Sequence, residues 1–205
     1  MIETRPIVPG LFKQPVVAHI VTLTPSLADE KMMGEWWGED CLRRPLNPLP
    51  IDRYWNWNSH EISYGDRTLT AEKVAVVTGA GEELAVQGAM MISSEPVASV
   101  TGRPCLLLEL LFTAPRNRPD LRRDEQQYVV GVGTQLLIWA AWYSCKQGCD
   151  GRLRLDGSPD FLTWYEKRGL QRVKLDPIVY EDVTYTPMEL SEQAAEKLLV
   201  AWDES

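Results

Sequence analysis

Histidine, cysteine and long apolar runs are scarce in this chain of 205 residues, and each shortage excludes a class of protein. Four scattered cysteines are too few for a disulfide framework. Cys145 and Cys149 stand four residues apart, but with only two histidines in the chain we interpret them as reduced thiols and predict no metal site. No apolar run reaches the roughly 18 residues of a membrane helix, and the first residues lack the features of a signal peptide. We therefore expect a protein of the reducing cytoplasm, without a membrane partner.

Basic side chains are outnumbered by acidic ones, 21 against 29, so the formal net charge is −8. This acidity disfavours nucleic acid as a partner. The charge is uneven: residues 1–102 carry 8 basic against 13 acidic side chains, residues 103–174 carry 12 against 8, and residues 175–205 carry 1 against 8. The basic surplus in the middle segment favours a polyanionic ligand there, and an ordinary distribution of solvated charges is the alternative.

A glycine-rich loop in that basic segment precedes a predicted helix over residues 134–146, which lacks proline and glycine. Gly131 and Gly133 place a loop of little bulk at the positive end of a helix dipole, an arrangement that suits a phosphate or pyrophosphate. The alternative is a tight turn without a ligand. Position 136 is Leu, so a dinucleotide fingerprint is incomplete, and the Gly-Lys-Ser/Thr of a P-loop is absent.

The order of motifs after residue 104 resembles the GNAT superfamily of N-acetyltransferases. Its pyrophosphate loop reads (Gln/Arg)-x-x-Gly-x-(Gly/Ala), and Gly131 and Gly133 match the two small positions, whereas Tyr128 replaces the leading Gln or Arg. The family's later Phe-Tyr-x-x-x-Gly-Phe pattern is matched by Tyr165 and Gly169, with Trp164 and Leu170 in place of the two phenylalanines. The resemblance covers about two thirds of the chain.

The resemblance implies an α/β (α+β) fold: a mixed, mostly antiparallel sheet of six to seven strands with helices on both faces. It implies one domain over residues 1–205, with a cofactor-binding core at about 104–176. The fourth and fifth strands of the family separate and admit the pantetheine arm of coenzyme A. The implied cofactor contacts are Phe112, Thr113, Tyr128, Val130, Gly131, Val132, Gly133, Thr134 and Ser158.

Two residues are candidates for catalysis in this scheme. In the family an amine attacks the thioester directly, and the position of Tyr165 supplies the acid for the leaving thiolate; the alternative is a tyrosine of the core. Glu109 interrupts an apolar strand predicted over residues 104–114 and buried on both faces, where a carboxylate is costly unless it is paired or faces a wet cleft. Glu109 is therefore the candidate base, or else a buried structural partner.

Aromatic side chains concentrate between the first predicted strand, 16–23, and residue 57. Aromatics with one polar edge suit the wall of a binding site. The resemblance implies that Trp36, Trp55 and Trp57 belong to the acceptor side of the cleft. Packing beneath the first helix is the alternative for each. His19, inside the first strand, is interpreted as structural.

Turn and capping signals mark the remaining elements. A helix is predicted to begin with Ser26 at its cap. Gly79 and Gly81 mark a hairpin over residues 72–92. Further strands are predicted over 173–176 and 179–188, and Ser191 caps a last helix that runs to residue 202. An extended loop, roughly residues 117–127, is added before the glycines relative to the family pattern and carries Arg118, Arg122 and Arg123.

These observations predict an acyl-CoA-dependent N-acyltransferase that moves acetyl from acetyl-CoA to a primary amine, carried by a small molecule or a peptide. The protein would be a monomer or a homodimer. The alternative is a non-catalytic module of the same fold that binds coenzyme A or a protein partner. A toxin that acylates aminoacyl-tRNA is disfavoured by the acidic charge.

Overall fold

The computed structural model of the chain describes residues 5–7, 16–39, 56–118, 121, 128–180 and 182–203. The chain forms two compact units. Unit 1 comprises residues 1–61, 72–91 and 110–136, and unit 2 comprises residues 62–71, 92–109 and 137–205. The expectation of a single domain over 1–205 stays a prediction.

Strands make up most of the regular structure. They are β1 (Arg5–Ile7), β2 (Val16–Thr22), β3 (Ile62–Tyr64), β4 (Arg67–Leu69), β5 (Ala71–Thr78), β6 (Ala85–Ser93), β7 (Val97–Ala98), β8 (Pro104–Thr113), β9 (Leu153–Gly157), β10 (Leu170–Arg172), β11 (Ile178–Tyr180) and β12 (Val183–Leu190). Within the described residues, the α-helices are α1 (Val132–Lys146), α2 (Leu162–Glu166) and α3 (Glu192–Asp203). The mixed, mostly antiparallel sheet predicted from the sequence is confirmed, and short strands such as β1, β7 and β11 add to the predicted number.

Unit 1 is built on an antiparallel ladder. β2 pairs with β1 and with β5, in a register that sets Ala18 opposite Thr78, and β5 neighbours β6. The predicted hairpin at Gly79 and Gly81 is confirmed as the β5–β6 connection, where both glycines have positive φ. Apolar side chains of β5 and β6 form the core of this unit; they include Val74, Val76, Val86, Met90 and Met91, all at most 2% exposed.

A close approach at Gly88 holds the helix start against β6. A Cβ atom at Gly88 would lie 2.6 Å from Val132 Cγ1, 2.9 Å from the Phe112 carbonyl oxygen and 3.2 Å from Leu136 Cδ1. Only glycine therefore lets these backbones and side chains meet without a shift.

Gly88→Ala is expected to lower the free energy of unfolding by about 1–3 kcal/mol, since overpacking moves backbone as well as side chains. Gly34→Ala is the matched control: φ at Gly34 is −64° and its nearest neighbour, the Asp29 carbonyl oxygen, would lie at an ordinary 3.4 Å. There the change should be neutral or stabilise by up to about 1 kcal/mol. Urea unfolding of both variants makes the comparison, and equal effects would contradict the packing argument.

Unit 2 contains the parallel strand pair. β8 pairs with β9 in parallel, and β9 pairs antiparallel with β12, which also pairs with β10 and β11. Alternation along β9 buries Leu153 and Leu155 and leaves Arg154 and Asp156 on the other face, half-buried. A separate hairpin, β3–β4, turns at Gly65, whose φ is +62°. Its signal, a Gly-Asp pair between two short strand-like runs, was not used in the sequence prediction.

A buried arginine joins three segments of unit 2. Arg152, which is 6% exposed, donates from Nε to the Pro104 carbonyl oxygen at 2.8 Å. Its Nη1 lies 3.0 Å from Asp150 Oδ2 and 3.2 Å from Glu192 Oε2. The starts of β8, β9 and α3 therefore converge on one charge, which two carboxylates compensate.

Several local predictions need correction. The segment after Ser26 is helical but has π geometry, over Leu27–Met33 and Glu35–Glu39, and Gly34 N–H donates to the Asp29 carbonyl five residues earlier. Ser26 makes no side-chain cap; Thr24 Oγ1 accepts from Leu27 N–H at 3.3 Å instead. The strand predicted over 173–176 is wrong, because those residues form a loop. The strand of this region, β10, ends before them at Arg172, since Gly169, at φ +92°, ends the helical region directly before Leu170.

The last helix agrees with the sequence. Ser191 Oγ accepts from Ala194 N–H at 3.3 Å, which confirms the predicted cap of α3. No helix within the described part of the chain has both the length and the apolar character needed to cross a membrane.

Candidate active site

The glycine loop, residues 130–134, lies in unit 1 at the start of α1. Gly131 has φ +90°, and a Cβ built there would meet nothing within 4 Å. Its carbonyl oxygen accepts from Gln135 N–H at 2.9 Å, the first bond of the helix. Val130 is 47% exposed whereas Val132 is buried, so the chain passes from solvent to core across Gly131. An open glycine followed by the first turn of a 15-residue helix offers backbone N–H groups to an anion.

Asn117 fixes the segment that leads into this loop. Its Oδ1 accepts from Val129 N–H at 2.7 Å, next to Tyr128, and its Nδ2 donates to the carbonyl and side-chain oxygens of Gln87, both at 3.0 Å. The sequence analysis gave Asn117 no role. It belongs to the Ala-Pro-Arg-Asn-Arg run that opens the extended loop, so the signal was present in the sequence. Arg122 and Arg123 lie outside the described residues.

Arg118 ends the short helical turn that follows β8, also in unit 1. Its Nε donates to the Thr113 carbonyl oxygen at 2.8 Å, and its guanidinium carbon lies 5.4 Å from the centre of the Phe112 ring and 5.9 Å from that of Trp37. The Thr113 carbonyl oxygen therefore already accepts a hydrogen bond from a side chain of the same unit. Phe112 and Thr113 are half-buried, so they retain surface for a ligand.

Glu109 and Asp156 lie in unit 2, where β8 and β9 stop pairing. The last paired residues are Leu107 and Arg154, so Glu109 and Asp156 each stand two residues further along their strands. Equal offsets in a parallel pair place both side chains on the same face. The prediction that β8 is buried on both faces holds for residues 105–108 but is wrong at Glu109, which is exposed.

The environment of Asp156 is unusual for a carboxylate. Burial raises the pKa of Asp156; the nearby guanidinium of Arg154 lowers it, and the charge of Glu109 raises it. Burial is the largest of the three causes. Arg154 itself lies under the β3–β4 hairpin, with its guanidinium carbon 5.7 Å from the centre of the Tyr64 ring. Asp156 was not a sequence candidate, since an aspartate at the end of an alternating strand resembles any solvent-facing residue.

Ser158 and Tyr165 follow β9 in the same unit. Ser158 is extended, and its carbonyl oxygen accepts from Phe161 N–H at 2.9 Å, which closes the turn before α2. Tyr165 is half-buried and meets Trp164 edge to face, with ring centres 4.9 Å apart. Burial raises the pKa of the Tyr165 phenol to about 12. The group therefore remains protonated at neutral pH and is able to donate a proton.

The tryptophans proposed for the acceptor side are buried where the structure describes them. Trp36 is 1% exposed and donates from Nε1 to the Val86 carbonyl oxygen at 3.0 Å, and Trp57 is 2% exposed. Trp55 lies outside the described residues. Such burial favours the packing alternative for Trp36 and Trp57, because neither ring offers surface to a ligand in this conformation.

Three described cysteines are free thiols: Cys105 and Cys149 are buried and Cys145 is exposed. Burial raises the pKa of all three, that of Cys105 to about 12, so they are protonated at neutral pH. In the described ranges, no group of three or more His, Cys, Asp or Glu side chains is placed to hold a metal ion.

Comparisons with known proteins give the fold. No protein-family model and no curated protein matches the sequence. Among solved structures, an inferred N-acetyltransferase from Lactobacillus plantarum is similar with a TM-score of 0.53 at 14% identity, covering 84% of this chain and 97% of that one. A chimera of the spermidine N-acetyltransferase SpeG from Vibrio cholerae and hSSAT gives 0.53 at 11% identity, over 87% and 98% of the two chains. This chain therefore has the fold of these two structures, and the GNAT-like fold class predicted from the sequence is confirmed.

Proposed function

We propose that the protein is an acyl-CoA-dependent N-acyltransferase that transfers acetyl from acetyl-CoA to a primary amine. The observation that carries the proposal is the open, positive-φ glycine at the start of α1, since backbone N–H groups at a helix start suit a pyrophosphate. The fold similarity to two N-acetyltransferases supports it.

Different residues are proposed to bind different parts of coenzyme A. The glycine loop binds the pyrophosphate through backbone groups of Gly131 to Thr134, with Val130 and Tyr128 at its entrance. Phe112, Thr113 and Ser158 are proposed to position the rest of the coenzyme. Asn117 keeps the loop in place through Val129. Because binding uses backbone atoms, it depends on the shape of the loop more than on any one side chain.

The chemistry needs no enzyme nucleophile. A base takes a proton from the acceptor ammonium, the amine lone pair attacks the thioester carbonyl carbon, and the carbon–sulfur bond breaks. Tyr165 is proposed to protonate the departing thiolate; its buried phenol is protonated at neutral pH. Glu109, two residues beyond the last paired residue of β8, is the sequence candidate for the base.

Acetyl-CoA is expected to raise the melting temperature of the purified protein. A ligand that binds only the folded state at 100 times its Kd stabilises it by about 2.7 kcal/mol. For a chain of this size that corresponds to a rise of about 5 °C or more. Differential scanning fluorimetry with 1 mM acetyl-CoA, about a saturating level for a micromolar site, makes the measurement. Acetyl-pantetheine, which lacks the nucleotide and the pyrophosphate, is the control and should raise the melting temperature much less.

Two outcomes would contradict the proposal in different ways. No shift at any coenzyme concentration would remove the assignment of the glycine loop. A clear shift together with no acetylation of any amine in a broad library would support the alternative, a non-catalytic coenzyme A-binding module.

A further inference from the structure

We propose that Asp156 accepts the proton lost by an acceptor amine that arrives as an ammonium ion, and that Glu109 beside it attracts this cation. The proposal rests on the proposed function and names its substrate class: amines that are protonated at neutral pH. It differs from the sequence prediction, in which Glu109 alone is the base.

The strand geometry is the first support. β8 and β9 are paired only as far as Leu107 and Arg154. Beyond that point their backbones are no longer joined, and the first side chains on the same face are the carboxylate pair, Glu109 and Asp156. An amine that approaches the end of this pairing therefore meets two carboxylates.

Burial gives the two carboxylates different roles. Glu109 is exposed, whereas Asp156 is half-buried. A proton acceptor is most effective when its pKa is near the working pH, and burial together with the charge of Glu109 moves the pKa of Asp156 upward in that direction. The exposed carboxylate, in contrast, suits the attraction of a cation from solvent.

The other groups near Asp156 are consistent with this assignment. Arg154, on the same strand and face, lowers the pKa of Asp156 but less than burial raises it. On β12 the register partner of Asp156 is the uncharged Pro187; Glu189 stands opposite Arg154, and Tyr185 shares their face by alternation. The hairpin contributes Tyr64, which covers Arg154. Arg154 has the second-largest effect on the pKa of Asp156, ahead of Glu109, and burial is the cause that outweighs it.

The step balances in protons and electrons. One ammonium proton moves to Asp156 and frees the nitrogen lone pair, which forms the new carbon–nitrogen bond as the carbon–sulfur bond breaks. Tyr165 gives its proton to the sulfur and regains one from the nitrogen of the new amide. Asp156 then releases its proton to solvent, so ammonium and thioester yield amide, thiol and one proton.

The test combines a titration with kinetics. Protein labelled with ¹³C at Asp and Glu carboxyls is titrated by NMR as wild type, Glu109→Gln and Asp156→Asn, with Asp176→Asn, an exposed aspartate in the loop after β10, as the matched control. The signal lost in Asp156→Asn should titrate above the ordinary aspartate value of about 3.9, and Glu109→Gln should move it to lower pH. An ordinary value, or no movement in Glu109→Gln, overturns the proposal whether or not the protein is an enzyme.

The kinetic arm uses acetyl-CoA with butylamine and 1,4-diaminobutane as probes. Asp156→Asn should lower kcat at least about tenfold at pH 7, and the deficit should shrink as the pH approaches the amine pKa of about 10.4, where the acceptor needs no base. Glu109→Gln should move the acid limb of kcat/KM to lower pH and raise KM for the diamine most. Asp176→Asn should match the wild type.

The kinetic outcomes separate this inference from the proposed function. If Asp156→Asn is as active as the wild type at pH 7, Asp156 is not the proton acceptor, whereas the proposed acyltransferase activity is unaffected by that result. A uniform loss at every pH overturns it too, since that pattern indicates a structural role. Absence of wild-type turnover with every amine tested overturns both.

Discussion

Gly133→Arg is expected to abolish the stabilisation by acetyl-CoA while leaving the melting temperature of the free protein almost unchanged. Gly133 lies in the first turn of α1 and is not among the positive-φ glycines, so its backbone accepts a side chain. That side chain would project into the space proposed for the pyrophosphate. The loss is the whole ligand contribution, about 2.7 kcal/mol at 100 times Kd. Gly131 is a poorer target, because any substitution at φ +90° strains the backbone itself.

Two further variants make this result specific. Gly133→Glu adds bulk and a negative charge, so it should lose binding even if an arginine at this position happened to attract phosphate. Gln147→Arg adds the same charge as Gly133→Arg at an exposed position just past the other end of α1, and it should respond to acetyl-CoA like the wild type. A normal thermal shift for both Gly133 variants would mean that the loop is only a turn.

Tyr165→Phe is expected to lower kcat by about tenfold or more while cofactor affinity changes little. The phenyl ring retains the edge-to-face contact with Trp164, so only the hydroxyl is lost. General-acid groups contribute typically about 10²- to 10⁴-fold, and a thiolate leaves well enough to place this case at the low end. Because the interaction matters chiefly in the transition state, kcat and kcat/KM should fall together. Steady-state kinetics with acetyl-CoA as the varied substrate measures both.

The pH dependence gives a second check on Tyr165. With the pKa of the phenol raised to about 12, the acid form persists through neutral and mildly alkaline pH. Tyr165 therefore should not produce an alkaline limb near its ordinary value of about 10. Tyr180→Phe, at a tyrosine that is 52% exposed, is the control and should leave both constants unchanged. A loss confined to cofactor affinity would assign Tyr165 to holding the sulfur end of coenzyme A.

Local chemistry was readable from the sequence. The glycines at the start of α1, the turn at Gly79 and Gly81, and the Ser191 cap each follow from interactions within a few residues, and the structure has all three. The mixed sheet followed from the spacing of motifs that resembles a known family. The site roles of Tyr165, Glu109 and the glycine loop remain predictions until the variants are measured.

Long-range packing decided which side chains are buried and which groups they contact. Composition cannot show that Trp36 is buried against Val86, or that Arg118 bonds the Thr113 carbonyl, because both contacts depend on the tertiary fold. The same holds for Asp156: its strand alternates like any half-exposed strand, and only the end of pairing between β8 and β9 places it beside Glu109, 47 residues away in sequence. The sequence by itself determined the loop, the helices and the fold class. Tertiary structure decided which carboxylate is partly removed from water, and burial is what changes the proton affinity of a side chain.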